Sequence, residues 1–387
     1  MVGFGQDSMR GEGEARESLF SRIDWVLLFF ALPITIAGLI TMQSYGSGSI
    51  FFDRQVAWVA ISLLVFFAFA LVDISLLKKT KVLVSIFLFC IGLLILIFII
   101  GHTSNGAKSW FSLGGFSVQP SDFMKIILIL VLAKYFSRRH VAIGQVRHLF
   151  ISGAYALVPF ILIFLEPDFG VAVIIGMIWL GMALVAGIKK RHLALLMGLG
   201  AIAFVFLWSF VFQPYQKARI TTFLSPLSDI HGRGYNAHQA VIAVGSGGLF
   251  GKGVGYGTQS RLRFLPEYQT DFIFAAFAEE WGYVGALLLL LLYGLLLARI
   301  LALALHGDSN FEMLFASGVM VLFITQLLIN IGMNIGVLPV TGVTLPFMSY
   351  GGSHLIVEFG ALGILSGMRR STRQSHPEDL SKEFEGL

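Results

Sequence analysis

Apolar stretches of roughly 18 to 25 residues recur along this chain from Trp25 to Met368, each long enough to carry a helix through a ~30 Å hydrocarbon core. A chain of this kind has to satisfy its backbone amides inside its own segments, so it folds as a bundle of membrane-crossing helices. Alternating strand patterns are absent, which argues against a barrel. Ten stretches qualify, at residues 25–43, 55–72, 82–101, 122–136, 149–165, 170–187, 192–212, 272–298, 312–336 and 352–368. With 56% of its 387 residues apolar and only 13% charged, the chain cannot coat a water-soluble domain. The one cysteine, Cys90, lies within an apolar run, so no disulfide framework exists and the thiol reads as helix packing.

Lysine and arginine set the direction of the crossings. With the N-terminus inside, the inner segments hold 18 of the 27 basic residues, among them Lys78, Lys79, Lys81, the cluster Lys189-Lys190-Arg191, and Arg299. The outer segments hold eight, and Lys125 falls within the fourth stretch. This is the positive-inside pattern of a multi-pass protein with both termini cytoplasmic. It explains the net charge of +5 without nucleic acid. The alternation works only if Glu166-Pro167-Asp168 is a turn between two crossings. The expected architecture is therefore an all-α polytopic membrane protein of about ten transmembrane helices: a cytoplasmic tail at 1–22, one membrane domain at 23–370, and a second cytoplasmic tail at 371–387. Residues 213–270 form a large extracytoplasmic loop between helices seven and eight.

That loop carries Lys217, Arg219, Arg233, Lys252, Arg261 and Arg263 against only Asp229 and Glu267, an excess suited to an anionic ligand held outside. Residues 245–257 contain seven glycines, which permit tight turns and close approach of backbone amides to a bound group, or a hinge. The spacing matches neither a P-loop nor a dinucleotide fingerprint. Downstream, Asp271, Glu279 and Glu280 enter a membrane helix, with Glu280 about 13 Å below Asp271 if the helix is regular. Carboxylates at such depth are paired or functional. Asp271 also suits a helix N-cap. Arg54, Lys108, Asp122 with Lys125, and Glu166 with Asp168 face the same side; Asp122 and Lys125, three residues apart, can neutralise each other. Gln326, Asn330 and Asn334 form a polar stripe on one helix face, and His354 and Glu358 share another, patterns suited to interhelical hydrogen bonds. No metal-ligand set is visible, since His354 and Glu358 supply only two ligands.

Three segments carry a resemblance: NGAKSWFSLGGFSVQPSDFMK (105–125), GSGGLFGKGVGYGTQSRLRFLPEYQTDFIFAAFAEEWG (245–282) and LPVTGVTLPFMSYGGS (338–353), with LEPDFG at 165–170. Together they resemble the RodA, FtsW and SpoVE (SEDS) family of peptidoglycan polymerases from about Ile23 to Arg370. GTQS at 257–260 and LPVTGVTLP look more like the RodA branch, which points to cell elongation. The resemblance implies a peptidoglycan glycosyltransferase that polymerises lipid II, an undecaprenyl-pyrophosphate-linked disaccharide-peptide, on the outer face of the bacterial cytoplasmic membrane. It also implies a class B penicillin-binding protein as cross-linking partner within the elongation machinery. Asp271, aligned by TDFIF, stands where the family has its proposed catalytic carboxylate. The sequence departs from the family pattern at Asp122, usually Glu, at Glu166, usually Gln, at Val171, usually Thr, at Gln269, usually His, and at His354, usually a small residue.

On this basis Asp271 accepts the proton of the acceptor 4-hydroxyl as it attacks the donor anomeric carbon, with inversion. The lipid pyrophosphate leaves already ionised and needs positive charge rather than a general acid. The candidate substrate-binding residues are Arg54, Lys108, Asp122, Lys125, Arg219, Lys252, Gln259 and Glu280. The sequence identifies no cofactor; a divalent cation could share the pyrophosphate charge. The alternative is a lipid II flippase or another lipid-linked transporter, because buried carboxylates also mark translocation paths.

Overall fold

A computed structural model describes residues 23–44, 50–72, 75–104, 107–113, 116–138, 146–224, 234–262, 264–307 and 309–374. The expected tail at 1–22 lies outside them, as does 375–387 of the tail expected at 371–387, whose first residues, 371–374, continue the last helix. The elements in order are α1 (Trp25–Ser44), α2 (Ile50–Leu71), α3 (Ser75–Lys78), α4 (Thr80–Ile100), a small antiparallel sheet of β1 (His102–Ser104), β2 (Ala107–Leu113) and β3 (Phe116–Val118), then α5 (Pro120–Ser137), α6 (Val146–Leu165) and α7 (Phe169–Val185). They continue with α8 (Lys190–Phe206), extended by one π turn at Leu207–Val211, then α9 (Pro214–Leu224), α10 (Tyr235–Ser246), α11 (Thr258–Arg261), α12 (Ile273–Leu305), α13 (Asn310–Asn334) and α14 (Gly352–Gln374). A long helix covers each of the ten apolar stretches. Seven are long and apolar enough to cross a membrane on those criteria alone, and α7 and α14 are shorter apolar helices. α5 owes its lower apolarity to Asp122, Lys125 and Lys134.

The helix ends follow from local chemistry. Pro120 occupies the first turn of α5, where its missing N–H costs nothing. The Asp168 carboxylate accepts the Val171 N–H and caps α7, while Pro167 at φ 30 makes the reversal from α6. The Glu166–Asp168 turn is therefore real. At the other end of the bundle Ser309 caps α13 through Glu312 N.

Contacts sort the helix ends into two sets. Asp24 at the start of α1 pairs with Arg299 late in α12, and Lys78 of α3 pairs with Glu312 at the start of α13. The opposite end gathers the start of α2, the sheet, the starts of α5 and α7, the 234–272 segment, the start of α12, the end of α13 and the 335–351 segment. α13 lies at the centre, with 61% of its apolar window buried, whereas none of the α8 window is, so α8 stands at the lipid-facing margin. Small residues let backbones meet, as membrane packing requires. A side chain at Gly363 of α14, for example, would run into the Phe66 backbone of α2. The sheet between α4 and α5 is a local feature that the apolar pattern did not reveal. Its three strands are short and sit beyond the helix ends.

Candidate active site

Asp271 closes a turn that begins at Glu267, whose carbonyl accepts the N–H groups of Thr270 and Phe272, both at 3.2 Å. The turn is held from two sides. Ser349 Oγ donates to Thr270 O at 2.7 Å and Tyr350 N to Gln269 O at 2.8 Å, while the side-chain amides of Asn330 and Asn334 both reach Asp271 O at 3.0 Å. The half-buried Asp271 carboxylate lies over the backbone of Gly342, where a Cβ would stand 3.6 Å from Oδ2. The N-cap position of α12 is Phe272, whose side chain makes no capping hydrogen bond, and Asp271 directly precedes it.

A second group lies beneath the 341–351 segment. Lys125 Nζ pairs with Asp122 Oδ1 at 2.7 Å, and Ser353 Oγ donates to Asp122 Oδ2 at 2.9 Å. His354 places Nδ1 3.8 Å from Asp122 Oδ1 and Nε2 2.7 Å from Glu358 Oε1. All four ionisable side chains are buried, so each charge depends on the others for its stability. The other Glu358 oxygen accepts the Phe347 N–H at 2.6 Å and holds that residue at φ 61, a strained value for a bulky side chain. The sequence made the Asp122–Lys125 pair legible. That His354 completes it from α14 was not, because the two helices are 230 residues apart.

The glycine-rich segment has a different role from the one its composition suggests. α12 is interrupted at Gly282, with φ 67 and ψ −168, which strands the carbonyls of Glu279 and Glu280 and the N–H groups of Tyr283 and Val284. The segment after α10 satisfies all four. Lys252 N donates to Glu279 O, Gly253 N to Glu280 O, Tyr283 N to Gly248 O and Val284 N to Leu249 O, at 2.9 to 3.1 Å. A Cβ at Gly251 would overlap the Glu280 carbonyl, and one at Gly282 would overlap Gly251 N. Gly247, Gly251 and Gly282 thus permit close approach to another backbone.

Glu279 and Glu280 complete this joint. Glu279 Oε1 accepts from Lys252 Nζ at 2.8 Å, Thr258 Oγ1 at 3.1 Å and Gln259 N at 3.1 Å, and Glu280 Oε1 accepts Gly255 N at 2.6 Å. Lys252, Gln259 and Glu280 therefore lie together, with Lys252 committed to a fully buried carboxylate. Lys252→Ala is expected to lower stability by about 1–3 kcal/mol, with part recovered by adding Glu279→Gln. Thermal melting of the two variants and the double variant checks this. Arg54 is exposed near the start of α2, next to Gln55, whose side chain bonds Ser349 O and Gly351 N in the segment that holds the Asp271 turn, while Lys108 on β2 and Arg219 on α9 are described by their backbones alone.

Glu166, in the α6–α7 turn, is buried, and neither carboxyl oxygen has a hydrogen-bond partner among the described residues. Burial, reinforced by the nearby Asp168 charge, pushes its pKa up from 4.5 to about 8. Between those values the folded chain holds a proton that the unfolded chain has released. Stability from this group is complete below pH 4.5 and declines as pH rises, by about 1.4 kcal/mol per pH unit, until the folded group ionises. Glu166→Gln keeps the neutral shape and is expected to flatten the decline. Melting temperatures of both proteins across pH 6 to 9 measure it.

Among the described residues no group of three or more His, Cys, Asp and Glu side chains is arranged to hold a metal ion.

A bundle of apolar helices that collects a half-buried carboxylate, a buried charge cluster and a rigid glycine joint at one end defines a polytopic membrane protein with its polar chemistry concentrated there. The chain belongs to the FtsW/RodA/SpoVE family, described as cell cycle protein, which it matches over residues 19–374. It is 36% identical to stage V sporulation protein E of Bacillus subtilis over 362 residues, covering 90% of this chain and 98% of the relative. It is 35% identical to peptidoglycan glycosyltransferase MrdB of Escherichia coli K12, covering 92% and 94%. Among solved structures, a chain from a peptidoglycan synthase complex that coordinates polymerisation and crosslinking superposes with a TM-score of 0.77 at 31% identity, covering 91% of this chain and 99% of that one. The rod shape determining protein RodA of Thermus thermophilus gives 0.69 at 31%, covering 92% and 98%.

Proposed function

We propose that this chain is a peptidoglycan glycosyltransferase that polymerises lipid II into glycan strands on the outer face of the bacterial cytoplasmic membrane. One observation carries the reading: Asp271 is a half-buried carboxylate in a backbone turn tied to two other segments, at the end of a bundle shared with relatives that bear this activity in their names. The positive-inside bias supports placing that end outside, because the opposite end carries Lys78 and Arg299.

Asp271 removes the proton from the acceptor 4-hydroxyl as the oxygen attacks the donor anomeric carbon, and the lipid pyrophosphate departs with inversion. Positive charge then serves the leaving group, with exposed Arg54 a free-standing cation for it. Lys125 is buried in its pair with Asp122, and the partly exposed Lys252 is paired with the buried Glu279, so both act by holding the frame of the site. A class B penicillin-binding protein cross-links the product, a partnership supported by the likeness to a chain from a synthase complex. A role in elongation is supported by the RodA-like GTQS and LPVTGVTLP segments and by the RodA fold.

The test is reconstitution with the transpeptidase partner and lipid II in vesicles. Glycan polymer is expected. Lipid movement across the bilayer without polymer would instead establish a flippase, for which the buried Asp122–Lys125–His354–Glu358 group offers a polar path.

A further inference from the structure

The polar stripe on α13 does more than join helices. Asn330 and Asn334 are both fully buried, and each directs its side-chain nitrogen to the same acceptor, the backbone carbonyl of Asp271, at 3.0 Å. A carbonyl oxygen has two lone pairs, and these two amides occupy both. Asn330 Nδ2 also donates to Val343 O at 2.8 Å, tying the Asp271 turn to the segment whose Gly342 backbone lies against the carboxylate. Asn334 Oδ1 accepts Ala275 N at 3.0 Å, one of the first amides of α12, which has no carbonyl of its own helix to bond. Asn334 Nδ2 donates as well to the backbone carbonyl of Asn330 at 2.8 Å and to its side-chain Oδ1 at 3.3 Å, so the second amide is braced on the first.

We propose that Asn330 and Asn334 are positioning residues that fix the carboxylate of Asp271 by clamping its backbone carbonyl and the adjacent start of α12. Simple interhelical adhesion needs one bond from each amide to any acceptor. Convergence of both on the residue that bears the carboxylate, with a bond from one of them to the neighbour of Gly342, is what a positioning device requires. Rotation of the peptide after Asp271 breaks two hydrogen bonds at once, so the carboxylate keeps one setting relative to Gly342. Gln326, one turn earlier on the same face, is also buried, and its Oε1 has no hydrogen-bond partner among the described residues.

The inference rests on Asp271 acting as the base, and the test separates the two. Wild type, Asn330→Leu, Asn330→Gln, Asn334→Gln and Gln326→Leu are purified with the transpeptidase partner and assayed for kcat and KM on lipid II, with melting temperatures recorded. Asn330→Leu removes both donors at similar volume. It is expected to lower kcat about 10- to 100-fold, the effect of misplacing a reacting group by about 1 Å, with KM changed less than about twofold. Asn330→Gln, which restores the donors, is expected to recover part of the loss, and Gln326→Leu to retain wild-type kcat. If Asn330→Leu does not fold, Asn334→Gln is judged by the same split. Wild-type kcat in the folded variants, or an equal loss in Gln326→Leu, overturns the proposal. An Asp271→Ala protein run alongside separates the premises: if it polymerises normally, the base assignment fails and the clamp with it, whereas an inactive Asp271→Ala beside fully active Asn330→Leu removes the clamp alone.

Discussion

Asp271→Asn is expected to reduce glycan polymerisation about 10²- to 10⁴-fold, the usual contribution of a positioned general base, while leaving the helical fold and melting temperature close to wild type. The substitution changes one oxygen to nitrogen. It leaves the backbone carbonyl available to Asn330 and Asn334, and the Thr270 and Gln269 carbonyls available to Ser349 and Tyr350. Loss of activity with an intact fold can then be assigned to the carboxylate itself. The measurement is polymer length and amount from lipid II under single- and multiple-turnover conditions. Undiminished polymerisation would remove Asp271 as the base. A proportionate rise in KM at constant kcat would recast it as a binding residue.

The second large effect is expected at the glycine joint. Gly282 adopts φ 67 and ψ −168, a region open essentially to glycine alone, and a Cβ there would overlap Gly251 N. Gly282→Ala is therefore expected to cost about 3 kcal/mol or more, from backbone strain together with separation of the 247–253 segment from α12. The four backbone bonds across the break and the anchors at Glu279 and Glu280 are lost together because they share one geometry. Gly294, further along α12, provides the control. A Cβ there meets nothing within 4 Å, so Gly294→Ala is expected to be neutral or to stabilise by up to about 1 kcal/mol through helix propensity. Comparison of the two melting temperatures in detergent decides the point, and a Gly282→Ala protein as stable as Gly294→Ala would show that the joint is not rigid. Lower polymerisation by folded Gly282→Ala is also expected, since the start of α12 carries the Asp271 turn.

Much of the fold is written plainly in the chain. Each crossing needs its own apolar run, so runs of the right length locate the ten long helices without knowledge of their partners. The Glu166-Pro167-Asp168 turn could be read because it combines a helix-breaking proline with a capping aspartate. The Asp122–Lys125 pair could be read because residues three apart on a helix are neighbours. The small sheet was not legible, for β1 and β3 have three residues each and the seven of β2, AKSWFSL, do not alternate apolar with polar. The break at Gly282 was hidden for another reason. Nothing near it in the sequence states that a backbone 30 residues upstream will satisfy its stranded groups.

Local spacing and hydropathy thus determined the membrane class, the number of long helices and the alternation of their ends, while the family resemblance of TDFIF singled out Asp271 among three carboxylates. Tertiary structure alone decided what the polar residues are for. It set Gly247 and Gly251 against the backbone of the broken helix, committed Lys252 to Glu279, added His354 to the Asp122 pair and aimed Asn330 and Asn334 at Asp271. The physical reason is one of range. Burial in lipid acts on each helix by itself, whereas a buried hydrogen bond or ion pair has no meaning until the other half has been brought to it.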